Sequence, residues 1–252
     1  MLPGVLIFSH AAQGTLSRSG PTLPLMKKLL SITLLTVAAT TATAGAQSLS
    51  GVELGLTGGY AGGLSGEVFV HAPNVAGPVG VKAGVAYSRG NNGLNDSAPY
   101  SPGLLGNSYT VADAKRDGLI TSEGTTSTVG SLDATYGLGE VTPGVDATLY
   151  GGGRYGMFNA TESSGSNTTT YSSNAFGIGA GVMVSYALTG GLSLVGDLGV
   201  DQYFRSNTIT INDGQGNVDR LSAGQAGYSD LDARVVRPGT VFKARIGLKT
   251  TF

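Results

Sequence analysis

The sequence predicts an all-β fold, an antiparallel up-and-down transmembrane β-barrel of eight strands. Three observations lead there. In the last stretch, TVFKARIGLKTTF from Thr240 to Phe252, alternate residues divide into an apolar or small row (Phe242, Ala244, Ile246, Leu248, Thr250, Phe252) and a cationic row (Lys243, Arg245, Lys249). A period of two belongs to a strand, and faces this different need two solvents, lipid outside and a polar lumen inside. Seven more segments upstream alternate in the same way, each near the roughly 9 to 11 residues that a tilted membrane strand requires. Behind the leader, every apolar run is broken by Gly, Asp or Thr well short of the ~20 residues of a membrane helix, whereas barrel strands need only alternate.

The chain has 252 residues, 42 of them Gly, with no Cys, no Trp and a net charge of −1. Apolar residues are too frequent for a disordered linker. A charge this close to zero argues against a nucleic-acid partner. Without Cys there is no disulfide, thiolate metal site or lipid-anchoring thiol. Residues 1–25 mix Pro, Gly and Ser without periodicity and read as an upstream extension from a wrongly chosen start. Residues 26–46 read as a secretory signal peptide: Met26-Lys27-Lys28 is basic, Leu29 to Ala39 is apolar, and Ala44-Gly45-Ala46 precedes a cleavage expected before Gln47. Residues 47–252 form one barrel domain.

Taken in order, the first strand is Val52 to Tyr60, with Val52, Leu54, Leu56 and Tyr60 outward and Glu53 and Thr57 inward. Ala61-Gly62 turns tightly into Gly63 to His71, where Leu64, Val68 and Val70 face outward and Glu67 inward. The proline-bearing turn Ala72 to Pro78 ends that strand. Val79 to Arg89 turns Val79, Val81, Ala83, Val85 and Tyr87 out and Lys82 in. The fourth, Thr125 to Leu138, turns Leu132, Ala134, Tyr136 and Leu138 out and Asp133 in. After Gly139 to Gly144, Val145 to Phe158 turns Val145, Ala147, Leu149, Tyr155 and Met157 out and Asp146, Tyr150 and Arg154 in. The sixth, Asn174 to Leu188, alternates Phe176, Ile178, Ala180, Val182, Val184, Tyr186 and Leu188 with mostly small residues. Thr189-Gly190-Gly191 is a hairpin turn. Leu192 to Arg205 then turns Leu192, Leu194, Leu198, Val200 and Phe204 out and Asp197, Asp201, Tyr203 and Arg205 in.

The connections between these strands alternate in length. Ala72 to Pro78, Gly139 to Gly144 and Thr189 to Gly191 are short and fall at one end; the stretches 90–124, 159–173 and 206–239 are long and polar and fall at the other. Ala61-Gly62, tiny at the long-loop end, departs from that pattern. Outward aromatics cluster in two belts, Tyr60, Tyr87, Tyr155, Phe176, Phe204 and Phe242 at the loop end and Tyr136, Tyr186 and Phe252 at the turn end, as interfacial girdles do.

A final alternating strand that ends on a carboxy-terminal Phe, behind a secretory leader, resembles the closing strand of bacterial outer-membrane β-barrels. Over 47–252 the chain resembles the OmpA-like transmembrane domain and the OmpX or opacity-protein type. The resemblance implies residence in outer-membrane lipid, recognition of Phe252 by the barrel-assembly machinery, and external loops 90–124, 159–173 and 206–239 that meet envelope components or surfaces. No peptidoglycan-binding domain of the kind many OmpA-type proteins carry is expected after Phe252.

The sharpest candidate site is the inward charge set: Glu53, Glu67, Asp133, Asp146, Asp197 and Asp201 against Lys82, Arg154, Arg205, Lys243, Arg245 and Lys249. Such a set is either a selectivity ring or a plug of paired charges in a lumen narrow enough for side chains to fill; buried charges are generally paired, which favours the plug. His71 is the single histidine after the leader. Small outer-membrane enzymes, lipid A deacylases and omptin-like proteases, use a His with Ser or Asp partners near the outer rim. Here His71 falls at the turn end without an evident partner set, so a rim histidine without a catalytic role is expected. Asn212 to Asp219, NDGQGNVD, hints at a calcium loop, but Val218 and Gly224 occupy the positions of its glycine and closing glutamate, which leaves a loop-tip turn. Gly151-Gly152-Gly153 matches no phosphate-binding spacing and relieves crowding at the wall. No catalytic residue, cofactor or metal is expected. The functional reading is a structural or surface-interaction barrel, with a narrow passive channel for small solutes or ions as the alternative. An enzyme ranks third; a soluble ligand-binding barrel would need polar outer faces.

Overall fold

The computed structural model describes residues 51–100 and 108–252; the expected extension at 1–25 and signal peptide at 26–46 lie outside them. Alternation becomes strand throughout: β1 (Glu53–Ala61), β2 (Leu64–Ala76), β3 (Val79–Gly90), β4 (Ser122–Thr142), β5 (Val145–Ser164), β6 (Asn167–Thr189), β7 (Leu192–Phe204), β8 (Thr208–Asn212), β9 (Val218–Ser222) and β10 (Thr240–Thr251). Eight of them close a ring of antiparallel neighbours, β1 to β7 in chain order and then β10, which pairs back onto β1. At that seam Thr57 stands opposite Gly247 and Glu53 opposite Thr251. Closure removes every edge that a membrane could not satisfy. The Phe252 N–H donates to the Val52 carbonyl at 3.0 Å and its own carbonyl accepts from Gly51 N–H at 2.7 Å, so the chain end is tied to the first strand.

Inside and outside follow the predicted parity. On β1 Glu53, Gly55 and Thr57 are buried while Leu54, Leu56 and Tyr60 are exposed, and β3, β7 and β10 repeat the rule. Ala147 is an exception, buried on the outward row of β5. Gly190 and Gly191 connect β6 to β7 at φ +57° and +81°, the two positive values of a tight hairpin turn that matches strand twist. The Ala61-Gly62-Gly63 connection is as short as expected, and Tyr60 pairs directly with Leu64.

Several boundaries need correction. Ala72 to Ala76 belongs to β2, with an irregularity in its pairing to β3, and β4 reaches Thr142 through two further irregularities. Bulges accommodate the Pro and Gly that suggested longer turns. The supposed loop 159–173 is mostly strand, since β5 and β6 pair as far as Ser164 opposite Asn167. Its Thr and Ser residues suit a pleated surface, and their polarity disguised that.

Above the ring, β4, β5 and β6 rise as a sheet that β8 and β9 widen. One face of this sheet packs on an apolar core built from the long connections: Leu94, Val111, Ile120, Leu231 and Val235 with Ala160, Tyr171 and Ile209. Two short helices, α1 (Val111–Arg116) and α2 (Tyr228–Arg234), belong to it. Thr110 and Asp113 cap α1 reciprocally. Beside α1, burial pulls the Lys115 pKa down, yet its bonds to Asp96 and Glu123 leave it above the ordinary value. The described parts of the long stretches, 90–100, 108–124 and 206–239, therefore form a folded cap, not only polar loops.

Candidate functional site

Ten of the twelve charges predicted to face inward do so, between 1% and 8% exposed. Five carboxylates (Glu53, Glu67, Asp133, Asp197, Asp201) meet five cations (Lys82, Arg154, Lys243, Arg245, Lys249). Arg154, reaching in from β5, bridges β4 and β7 with bonds to Asp133 at 2.6 Å and Asp201 at 2.9 Å. Asp201 also takes Lys243 at 2.9 Å. Glu67 receives Lys82 at 2.9 Å and Arg245 at 2.5 Å, and Arg245 lies 3.7 Å from Asp197. At the turn end Lys249 donates to Glu53 at 2.6 Å. The closing strand thus pairs across both its seams.

Asp146 and Arg205 are the two corrections. Asp146 follows the turn before β5 and Arg205 lies just past the end of β7; both are exposed. Parity alone cannot tell a lumen position from one beyond the rim.

His71 also needs correction: it is 1% exposed and has partners. Its Nδ1 lies 2.7 Å from Glu53 Oε2 and its Nε2 2.9 Å from the Thr135 hydroxyl. Glu53 and Thr135 come from β1 and β4, 18 and 64 residues away in sequence, so only the barrel register brings them together. The outward-inward alternation of β2 already placed His71 in the lumen and was the usable signal.

Large side chains fill the space between the ion pairs. Tyr150 donates to Asp197 at 2.5 Å, with the Lys82 and Lys243 ammonium groups 5.0 and 5.3 Å from its ring centroid. Phe69, Met183 and Val195 pack with it as a small apolar layer. The wall makes room through glycine: a Cβ at Gly181 or Gly199 would strike the Tyr150 hydroxyl, one at Gly179 would strike Asp201 and Arg154, and one at Gly55 the Phe69 ring. Space remains in a cavity of about 40 Å³ beside Glu67, Lys82, Asp133 and Arg154, and in another of about 50 Å³ beneath the cap near Ser88, Tyr171 and Arg237. The cap closes over the latter with charge of its own: Arg234 bonds Tyr171 and Glu162, and Arg237 bonds Asp232, Tyr228 and the Ser206 carbonyl.

In the turn between β8 and β9, Asp213 accepts from the Gln215 and Asn217 backbone N–H groups and the Asn217 side chain. That is the expected turn in place of a calcium loop. Among the described residues no cluster of acidic, His or Cys side chains is arranged to hold a metal.

No family model matches the chain, and no curated protein matches it. Among solved structures, a major outer membrane protein from Thermus thermophilus is 32% identical, covers 81% of this chain and 100% of its own, and superposes with a TM-score of 0.70. The chain belongs to that family of outer-membrane β-barrels. Neisserial surface protein A is also similar, at 16% identity, 80% and 94% coverage and a TM-score of 0.38.

In an outer-membrane barrel the exposed outward row meets lipid, and its aromatics acquire a position. All nine predicted girdle residues point out, from 43% exposed at Tyr155 to 70% at Phe242. Tyr155, Phe176 and Phe204 stand opposite one another on β5, β6 and β7, with the first two rings 4.9 Å apart. Between the belts lie Leu, Ile, Val and Ala, as hydrocarbon requires.

Proposed function

We propose that the protein is a non-conducting structural and surface barrel, exported by the signal at 26–46, whose lumen is held shut by paired charges and whose cap meets other envelope components. The observation that carries this reading is the neutral lumen: five carboxylates and five cations, each cation within 2.9 Å of a carboxylate. Charges meant to select an ion would leave one sign in excess along a wet path. His71 fits the same reading as a bridge that ties β2 to β1 and β4.

A second reading, a narrow passive path for small solutes or ions, draws on the cavity beside Arg154, where Asp133 Oδ2 and Arg154 Nη2 have no hydrogen-bond partner. Planar-bilayer recording separates the two. The first predicts a silent membrane with the wild-type protein inserted; stable open levels would replace it with the second.

A further inference from the structure

The sheet that rises above the ring has two unlike faces. The inner one carries the cap core. The outer one continues the lipid-facing wall upward, and its residues are identified by register, since residues directly opposite on neighbouring strands share a face. One row crosses six strands: Arg89, Thr126, Asn159, Ser172, Thr210 and Arg220. The next row holds Gly124, Thr161, Thr170, Asn212 and, at its β9 end, Val218, and beyond it Ser163 faces Thr168. Ser172 lies four residues along β6 from Phe176, about 13 Å at the rise of a strand.

These side chains orient one another. The Ser172 hydroxyl donates to the Asn159 amide oxygen at 2.7 Å, Asn159 Nδ2 reaches Thr126 at 3.5 Å, and the Ser163 and Thr168 hydroxyls are 3.0 Å apart. Two properties separate this face from an ordinary solvated sheet. Its rows hold no carboxylate, because the acids of these strands turn the other way: Glu123 bonds Lys115 at 2.5 Å, and Glu162 accepts from Tyr171 at 3.0 Å. Arg89 and Arg220, at the two ends of the long row, are exposed, and neither forms an ion pair among the described residues.

Hydroxyls and amides flanked by free guanidinium groups complement an anionic saccharide. Sugar hydroxyls exchange bonds with the Thr, Ser and Asn lattice, while phosphate takes the planar fork of Arg. Continuity with the lipid-facing wall fixes the source. A lipid whose acyl chains lie on Tyr155, Phe176 and Phe204 presents its headgroup to this row. We propose that the outer face of β4, β5, β6, β8 and β9 binds the phosphosaccharide headgroup of a glycolipid in the surrounding outer leaflet. This names a partner for the surface role above and rests on the loop end facing outward.

The test uses the full chain in phosphatidylcholine vesicles that contain equal minor amounts of a bisphosphorylated disaccharide lipid and of phosphatidylglycerol, with retained lipids read by native mass spectrometry. The disaccharide lipid should be retained in preference. Arg89→Ser with Arg220→Ser should lower its retention about 25-fold, given that each arginine near an anionic surface contributes about a factor of five. Thr161→Val with Thr170→Val keeps the β-branched shape, removes the hydroxyls, and should lower it several-fold while phosphatidylglycerol stays unchanged. Unaltered heat-modifiable gel mobility shows that each variant folds. Equal retention of the two lipids, indifference to both variants, or pairing of two copies through this face would overturn the proposal. Conductance in pure phosphatidylcholine would defeat the plugged-lumen reading without bearing on lipid retention, so the two fail separately.

Discussion

Arg154 offers the most informative single perturbation. Its side chain is 1% exposed and binds Asp133 and Asp201. In Arg154→Met, Asp201 keeps Lys243 but Asp133 loses the one ion-pair partner it has among the described residues, and the lumen carries five carboxylates against four cations. Removing one member of a buried pair strands the other in low dielectric at about 3 to 5 kcal/mol. Adding Asp133→Asn restores neutrality, so the double variant should recover more than half of that loss, and the cycle should show a coupling of at least about 1 kcal/mol. Urea unfolding of the vesicle-inserted barrel, followed by circular dichroism and heat-modifiable mobility, measures each corner. If the single variant loses less than about 1 kcal/mol, the pair is hydrated, the lumen is not a dry plug, and the argument from charge balance fails.

Four other perturbations test separate parts of the molecule. Val182→Arg, on the lipid-facing row between Ala180 and Val184, should cost about 2 to 4 kcal/mol if that site lies at the bilayer midplane; a negligible change in the same unfolding assay would reject the register. Gly55→Ala places a methyl group against the Phe69 ring and should destabilise by about 1 to 3 kcal/mol through overpacking, whereas Gly153→Ala, with open space around it, should not. Val111→Ala in the fully buried cap core should speed proteolysis between 108 and 124 without changing the heat-modifiable mobility of the barrel, which separates cap stability from ring stability. Deleting Phe252 should slow insertion in a pulse-chase membrane assay, and wild-type kinetics would remove its role as an assembly signal.

The ring was legible because lipid and lumen impose opposite demands on successive residues, so parity alone assigned Leu54, Val85, Ile178 and Leu248 to one side and Glu53, Lys82, Asp197 and Lys249 to the other. Two kinds of feature escaped. Above the membrane no lipid enforces the pattern, and strands such as Asn167–Thr189 begin in Thr-rich sequence that reads as loop. The cap core draws Leu94 and Val111 from one stretch and Ile209 and Leu231 from another far along the chain, in runs too short to show a period. The site divides in the same way. Which charges face inward was local information, but that Arg154 reaches across the lumen to Asp201, or His71 to Thr135, depends on barrel shear and side-chain length.

The distribution of charge among the strands bears on how the chain completes itself. Three of the five lumen cations, Lys243, Arg245 and Lys249, sit on β10, and none of the five carboxylates does. Without β10, the other seven strands hold Glu53, Glu67, Asp133, Asp197 and Asp201 against only Lys82 and Arg154, an excess of acid that hydrocarbon would reject. The terminal strand is therefore the counter-ion of the rest of the molecule. A chain cut before β10 would lack both the strand that closes the ring and three of the five cations that neutralise its interior.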